Sequence, residues 1–375
     1  MRTMAQDGDK PAELLKQLEA RSALKRRRAA EALGRLGEPA AVGPLCKLLD
    51  NPDPDVDVHL KVVQALGRIG HPSAARTLVH WVVQEPLADS AEPAARVLVK
   101  FGSGALEALL SVFKDPSVFA HMCYPAWVLG EIGDPRAVDV LLPVAGHSDP
   151  GVREDVVTAL GKFTDNRINP VLVRALERDD LSTIRCKAAS ALGLIGDRAA
   201  ASALVRATYD DQVRDAAVEA LGHLQAPEGV DRLLELVAEP GANYWLLCRA
   251  LGEIADSRAT PRLVSLLQRA DAVKDAAWAL ARIRDTAAAK ALREGLRIGR
   301  TDIVCGGLEF FVRDGVPGTE SEIVKALFAH GGLEEAKVAY GSGNEALVTA
   351  AEEWAGLMRI PRLAGPRRPV KWGDA

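Results

Sequence analysis

Aromatic side chains are scarce in this chain, where Phe, Trp and Tyr together make up 5% of 375 residues. Its 48% hydrophobic content is therefore mostly Ala, Leu and Val. These are helix-compatible residues, and Ala is small enough to let helices pack closely. Cysteine is also sparse. The five thiols (Cys46, Cys123, Cys186, Cys248 and Cys305) are odd in number and far apart. No pair has the short spacing of a zinc site or redox motif, so reduced structural thiols in a cytoplasmic chain are expected. No apolar run approaches 18 residues, which argues against a transmembrane helix. The opening MRTMAQDGDK has no apolar core, so no secretory signal is expected. An excess of positive charge is missing too: the net charge is −4, whereas a dedicated nucleic-acid binder is more often strongly basic. Residues 1–37 carry +4 and residues 361–375 carry +3, which leaves −11 for the body between two basic ends.

What the chain does contain is repetition. The phrase A-L-G-x-[IL]-G occurs ending at Gly37, Gly70, Gly133 and Gly196, with weaker copies around Gly161, Gly222, Gly252 and Ala281 and a degenerate one at Lys100. With its first glycine as position zero, the positions are 34, 67, 100, 130, 161, 193, 222, 252 and 281, a mean step of about 31 residues. Such a period is the signature of a repeat array, in which each unit contacts its neighbours and no single core sets a size limit.

Each unit reads as two helices. A turn, often with proline (Pro39, Pro72, Pro135, Pro227), leads into an apolar helix such as 41–49 or 137–142. A polar turn follows, then a second helix that ends in the next phrase. Small or apolar residues fall at −9, −5, −2, −1 and +2, as in Ile184, Ala188, Ala191, Leu192 and Ile195. Offsets of three, four and seven define one helix face. A mid-helix glycine costs roughly 1 kcal/mol relative to Ala, so glycine at position zero implies close approach of a neighbouring helix. The second glycine, at +3, suits a left-handed residue that ends the helix, and Asp or Ser before the second helix can cap it. The expected fold is all-α, a right-handed α-solenoid (superhelix) of about ten hairpins. Residues 1–12 are expected to be disordered, 13–300 to form the array, 301–360 to be degenerate capping repeats, and 361–375 to be a basic, Pro-rich tail.

These phrases resemble HEAT repeats, specifically the short bacterial type of phycobilisome-lyase HEAT-like proteins, over roughly residues 20–300. The resemblance includes a Val-Arg or Ile-Arg pair opening the second helix, at 152–153, 184–185 and 213–214. It implies that Arg153, Arg185 and Arg214 are structural residues pairing with an Asp of an adjacent unit. It also implies that the second helices line a concave surface.

A repeat framework specifies a scaffold and not a function, so each candidate site must stand on its own residues. The outward positions of the second helix are −7, −3 and +1. Three of the chain's six tryptophans fall there, Trp127, Trp245 and Trp278, with Tyr124 and Tyr244 beside them. Trp and Tyr dominate interface hot spots. The expected binding surface therefore comprises Tyr124, Trp127, Glu131, Tyr244, Trp245, Arg249, Glu253 and Trp278. The competing reading is that the rings pack under an adjacent unit or the tail.

The functional expectation is a non-catalytic scaffold or adaptor that grips a protein or peptide in its groove, with no metal and no cofactor. Two enzymatic readings compete. A bilin lyase would share the repeat framework, but no independent chromophore signal accompanies it. The Trp127–Glu131 spacing is similar to the Trp-plus-acid arrangement of HEAT-fold alkylpurine DNA glycosylases, yet the acidic body argues against duplex DNA. A third HEAT family, deoxyhypusine hydroxylase, binds iron through His-Glu dipeptides, and none of the seven histidines here precedes Glu. The GlySerGly turns at 102–104 and 341–343 lack the Gly-Lys-Ser/Thr of a phosphate loop. The run Lys25–Arg28 reads as a solvated face.

Overall fold

The computed structural model describes residues 11–50, 55–84, 89–113, 123–315, 317–360 and 363. Of the segment 1–12 expected to be disordered, residues 11 and 12 lie in the Pro11–Gln17 helix, while residues 1–10 and all of the expected tail except Leu363 lie outside the described residues. Among those residues there are 24 α-helices and no strand, and no helix is long and apolar enough to cross a membrane. The fold is an all-α solenoid of helical hairpins. It divides into two compact units, Met1–Ile195 and Gly196–Ala375, each holding six hairpins. Hairpins that lack the phrase, in the 301–357 stretch, bring the number to twelve.

Within the first unit the second helices are Ala23–Leu36, Val56–Ile69, Ala91–Phe101, Cys123–Ile132, Pro150–Leu160 and Ser182–Ile195, and successive ones pack side by side. In Val56–Ile69, Pro150–Leu160 and Ser182–Ile195 the −9, −5, −2 and −1 positions are all buried, as in Ile184, Ala188, Ala191 and Leu192. Position zero sits where this row is tightest: a methyl group on Gly34 would lie 2.6 Å from the Cα of Ala65, at position −2 of the next unit. The same relation recurs at Gly161 against Ala191 and, in the second unit, at Gly252 against Ala279. The glycine is therefore required by backbone proximity.

The +3 residue ends the helix in a left-handed conformation, with φ 68° at Gly37 and 71° at Gly70, and each N–H closes on a carbonyl one turn back, Leu33 and Leu66. In the second unit Gln225, Ala255 and Arg284 hold the same +3 place at φ 50°, 57° and 58°. The stack imposes the conformation even where the residue carries a Cβ penalty. Asp55, Asp149 and Asn243 cap second helices through their side chains. Ser22 and Ser90 do not, and the Ser90 hydroxyl instead accepts the indole N–H of buried Trp81 at 3.1 Å.

The Arg opening the second helix has a repeated task. Its guanidinium donates to the carbonyl six residues earlier: Arg26 to Ala20 at 2.7 Å, Arg153 to His147 at 2.9 Å, Arg185 to Asp179 at 2.8 Å and Arg214 to Thr208 at 3.1 Å. Arg153 adds the neighbouring-unit pairing expected of it, reaching Asp179 with two bonds of 2.7 and 3.0 Å. A second, exposed ladder runs along the turns, where Arg136, Arg167 and Arg258 each pair with an Asp two residues back and with an acid of the preceding hairpin, Glu107, Asp139 and Asp231.

In the second unit the second helices are Arg214–His223, Tyr244–Ile254, Val273–Ile283, Thr301–Gly306, Glu320–His330 and Glu345–Leu357, and successive ones pack side by side. One hydrophobic core runs from Val218 to Leu363. Trp354 and Leu363 are buried in it, and Leu363 is the one described residue of the expected tail.

Candidate partner-binding cleft

The eight candidate residues fall into two groups, one in each compact unit. Tyr124, Trp127 and Glu131 share the Cys123–Ile132 helix of the first. Trp127 is half-buried and engaged: its indole N–H donates to Glu131 at 3.0 Å, and the Arg96 guanidinium lies over its ring at 5.9 Å. Glu131 also accepts a short bond from Lys162. That bond, ahead of the opposing effect of partial burial, holds the Glu131 carboxyl below its usual range. Trp127, Glu131, Arg96 and Lys162 thus form a cluster satisfied within the chain. The side chain of Cys123 is outside the described set.

In the second unit Tyr244, Trp245, Arg249 and Glu253 lie on the Tyr244–Ile254 helix and Trp278 on Val273–Ile283. Trp278 is engaged by two cations, with Arg249 at 5.5 Å and Arg282 at 5.1 Å from its ring centroid. Arg249 is also ion-paired with Glu253 at 3.2 Å. Tyr244 is covered by Arg269 at 4.9 Å. Trp245 differs from all of these, being 58% exposed with no cation stacked on it among the described residues.

Trp245, Arg249 and Trp278 come together as part of a cleft of about 630 Å³, which Tyr244 and Glu253 do not line. Its other wall is the Leu333–Tyr340 helix, contributing Leu333, Glu334, Glu335 and Val338, and its floor includes Lys274, Asp275, Gly306 and Glu309. Sequence reasoning placed 333–338 in a cap and did not connect it with the groove. The available signal was the doublet Gly306–Gly307: a methyl group on Gly306 would lie 2.3 Å from the Lys274 carbonyl oxygen, so the Thr301–Gly306 helix closes tightly on Val273–Ile283.

The cleft's charges are unevenly committed. Lys274 donates to the His330 carbonyl at 2.8 Å and Glu335 accepts the Gly332 N–H at 2.8 Å. Glu334 pairs with Lys337 at 2.6 Å and Glu309 faces Arg282 at 3.8 Å. Asp275 alone among the described lining acids has no hydrogen-bond or ion-pair partner. Partial burial, opposed by the neighbouring Lys274 charge, raises its carboxyl above the usual range.

Asp155 holds the corresponding position, six before the zero residue, in the first unit. Burial first, then the Glu154 and Asp149 charges, push it up to about 6 from 3.8. A raised folded-state value means that Asp155 stabilises the fold below its unfolded value and loses that contribution as pH rises through about 6. Asp155→Asn is therefore expected to raise stability above pH 6 by on the order of 1 kcal/mol, discounted for partial solvation. The gain should vanish toward pH 4, and thermal melts at pH 4.5 and 7.5 compare the two.

The pattern of HEAT repeats matches residues 11–98, 106–185, 139–221 and 169–245, more than half of the chain. The chain belongs to the HEAT-repeat family. A PBS lyase HEAT-like repeat matches residues 274–297 of this HEAT-repeat protein, which include Asp275 and Trp278 of the cleft. Deoxyhypusine hydroxylase of Eremothecium gossypii is 40% identical over 93 residues, 24% of this chain and 28% of the hydroxylase. Among solved structures, Kap121p bound to Pho4p covers 94% of the chain at 12% identity and a TM-score of 0.64. Kap121p bound to Ste12p does so at 12% and 0.63. The chain spans about half of Kap121p, and at this identity the likeness is one of fold.

Proposed function

We propose that this HEAT-repeat protein is a scaffold that binds a partner polypeptide, and that the cleft at Trp245 is where the partner docks. The carrying observation is the contrast among the indoles. Trp127 and Trp278 are engaged by side chains of their own chain, and Trp81 and Trp354 are buried, whereas Trp245 stands 58% exposed at the edge of a cleft. Exposing a large ring costs hydrophobic free energy that a partner would recover on covering it. Kap121p, similar in fold, is seen holding Pho4p and Ste12p, which supports polypeptide binding as a use of such a scaffold. Residues 301–357 then act both as the end of the array and as the cleft's far wall.

The hydroxylase likeness covers a quarter of the chain, and the absence of any His-Glu dipeptide gives it no support here. The lyase reading rests on repeat-framework residues, and no observation on the cleft favours it.

The test is quantitative capture. Partners recovered by the full-length chain should bind Trp245→Ala about 20-fold more weakly, the cost of truncating an interface hot spot. Leu194→Ala, which trims a more exposed apolar residue of the first unit, should bind as the wild type does. Equal affinity of Trp245→Ala and wild type for every recovered partner would remove the cleft from the function.

A further inference from the structure

We infer that the cleft receives a cationic side chain, lysine or arginine, from the partner polypeptide, with the Trp245 ring against its stem and the Asp275 carboxylate as its counter-ion. This deepens the protein-binding reading and rests on it.

Three observations on the same cavity converge. Trp245 is the ring there with no stacked cation, while its neighbour Trp278 already has Arg249 and Arg282 on it. A free indole beside a cavity is an open cation–π site. Asp275, on the next helix of the row, is partly buried and has no ion-pair or hydrogen-bond partner among the described residues. A carboxylate half removed from water and left unpaired is costly, and an incoming cation relieves that cost. The remaining charges point the same way. The cleft holds four carboxylates against two bases, and both bases are already committed, Arg249 to Glu253 and Lys274 to a backbone carbonyl.

Shape fits as well. Leu333 and Val338 on the facing wall offer apolar surface for the methylene stem of a long cationic side chain, which buries its stem and keeps its charge at a polar tip. An acidic peptide would meet four like charges. A cavity of about 630 Å³ is in the range that holds a ligand of a few side chains, so flanking peptide residues are accommodated with the cation.

Random dodecapeptides displayed against the full-length chain supply the probe, and the most enriched peptide is titrated calorimetrically with its key lysine or arginine intact or replaced by norleucine. Basic sequences should be enriched. Norleucine should weaken binding by about tenfold in the wild type and have little effect in Asp275→Asn, a near-isosteric change at a half-exposed site whose folding is checked by circular dichroism. Trp245→Ala should weaken both peptides. Enrichment of neutral or acidic peptides that still require Trp245 would overturn the cation assignment and leave protein binding standing. Peptides whose affinity ignores Trp245→Ala, or no enrichment at all, would overturn both.

Discussion

Arg153→Ala should destabilise the first unit by about 3–5 kcal/mol, the range for breaking a desolvated ion pair from one side. The side chains of Arg153 and Asp179 are 15% and 6% exposed. Their contact is bidentate, and the guanidinium's remaining N–H groups reach the His147 and Ser148 carbonyls at 2.9 and 3.1 Å. Alanine removes all four bonds and leaves Asp179 buried with the Leu181 N–H as its remaining described donor. The opposite case lies one hairpin away: Arg167 and Asp139, 56% and 64% exposed, form a surface pair for which Arg167→Ala should cost no more than about 1 kcal/mol.

The chain divides into two units, so a single global transition is a poor reporter. Hydrogen exchange of the Pro150–Leu160 and Ile168–Arg178 amides reads the loss where it occurs. The pH dependence is also fixed in sign. Arg153 holds Asp179 below its ordinary range, so the pair's contribution is present above the unfolded carboxyl value and is lost as pH falls through the folded one. Arg153→Ala should therefore cost most at neutral pH and progressively less in acid. A loss under 1 kcal/mol at pH 7 would mean the pair is replaceable by water.

Legibility in the sequence followed the range of each interaction. The helix pairs, their period and the glycine contacts were readable because each depends on a residue and its equivalent one unit later, such as Gly34 and Ala65. The Arg pairing was legible in kind and incomplete in detail. The sequence did not show the carbonyls six and five residues back that accept from the guanidinium at Arg153 and Arg185 alike. The cleft was legible by half. The exposed side of Tyr244–Ile254 follows from its core stripe, so Trp245 could be placed on the surface. The facing wall could not, because Leu333–Tyr340 carries no copy of the phrase and its position is set by how the last hairpins stack. Nor could the sequence separate the three groove tryptophans. What distinguishes them is which arginine reaches which ring, a matter of side-chain reach between neighbouring helices.

Two glycines make opposite predictions under the same substitution. Gly34→Ala should gain up to about 1 kcal/mol in helix propensity, yet its new methyl would sit 2.6 Å from the Ala65 Cα and 2.8 Å from its Cβ. The obstacle at Ala65 includes backbone, so relief requires the Ala23–Leu36 and Val56–Ile69 helices to separate. Ala30 and Leu33 on the first helix and Val62 and Leu66 on the second are fully buried, so movement of the helices disturbs a packed core. Overpacking of this kind costs typically 1–3 kcal/mol, so the net change is a loss of about 1–2 kcal/mol, and Gly34→Val, without the propensity gain and with two more methyl groups, should lose about 3. Gly356, in the last turn of Glu345–Leu357, has open space around its would-be methyl group and no left-handed φ. Gly356→Ala should stabilise the second unit by roughly 0.5 kcal/mol. Amide exchange in the first and second units reads each change separately. The decisive comparison is sign: if Gly34→Ala stabilises as Gly356→Ala does, helix proximity is not what selects glycine at position zero, and the repeat phrase needs another physical cause.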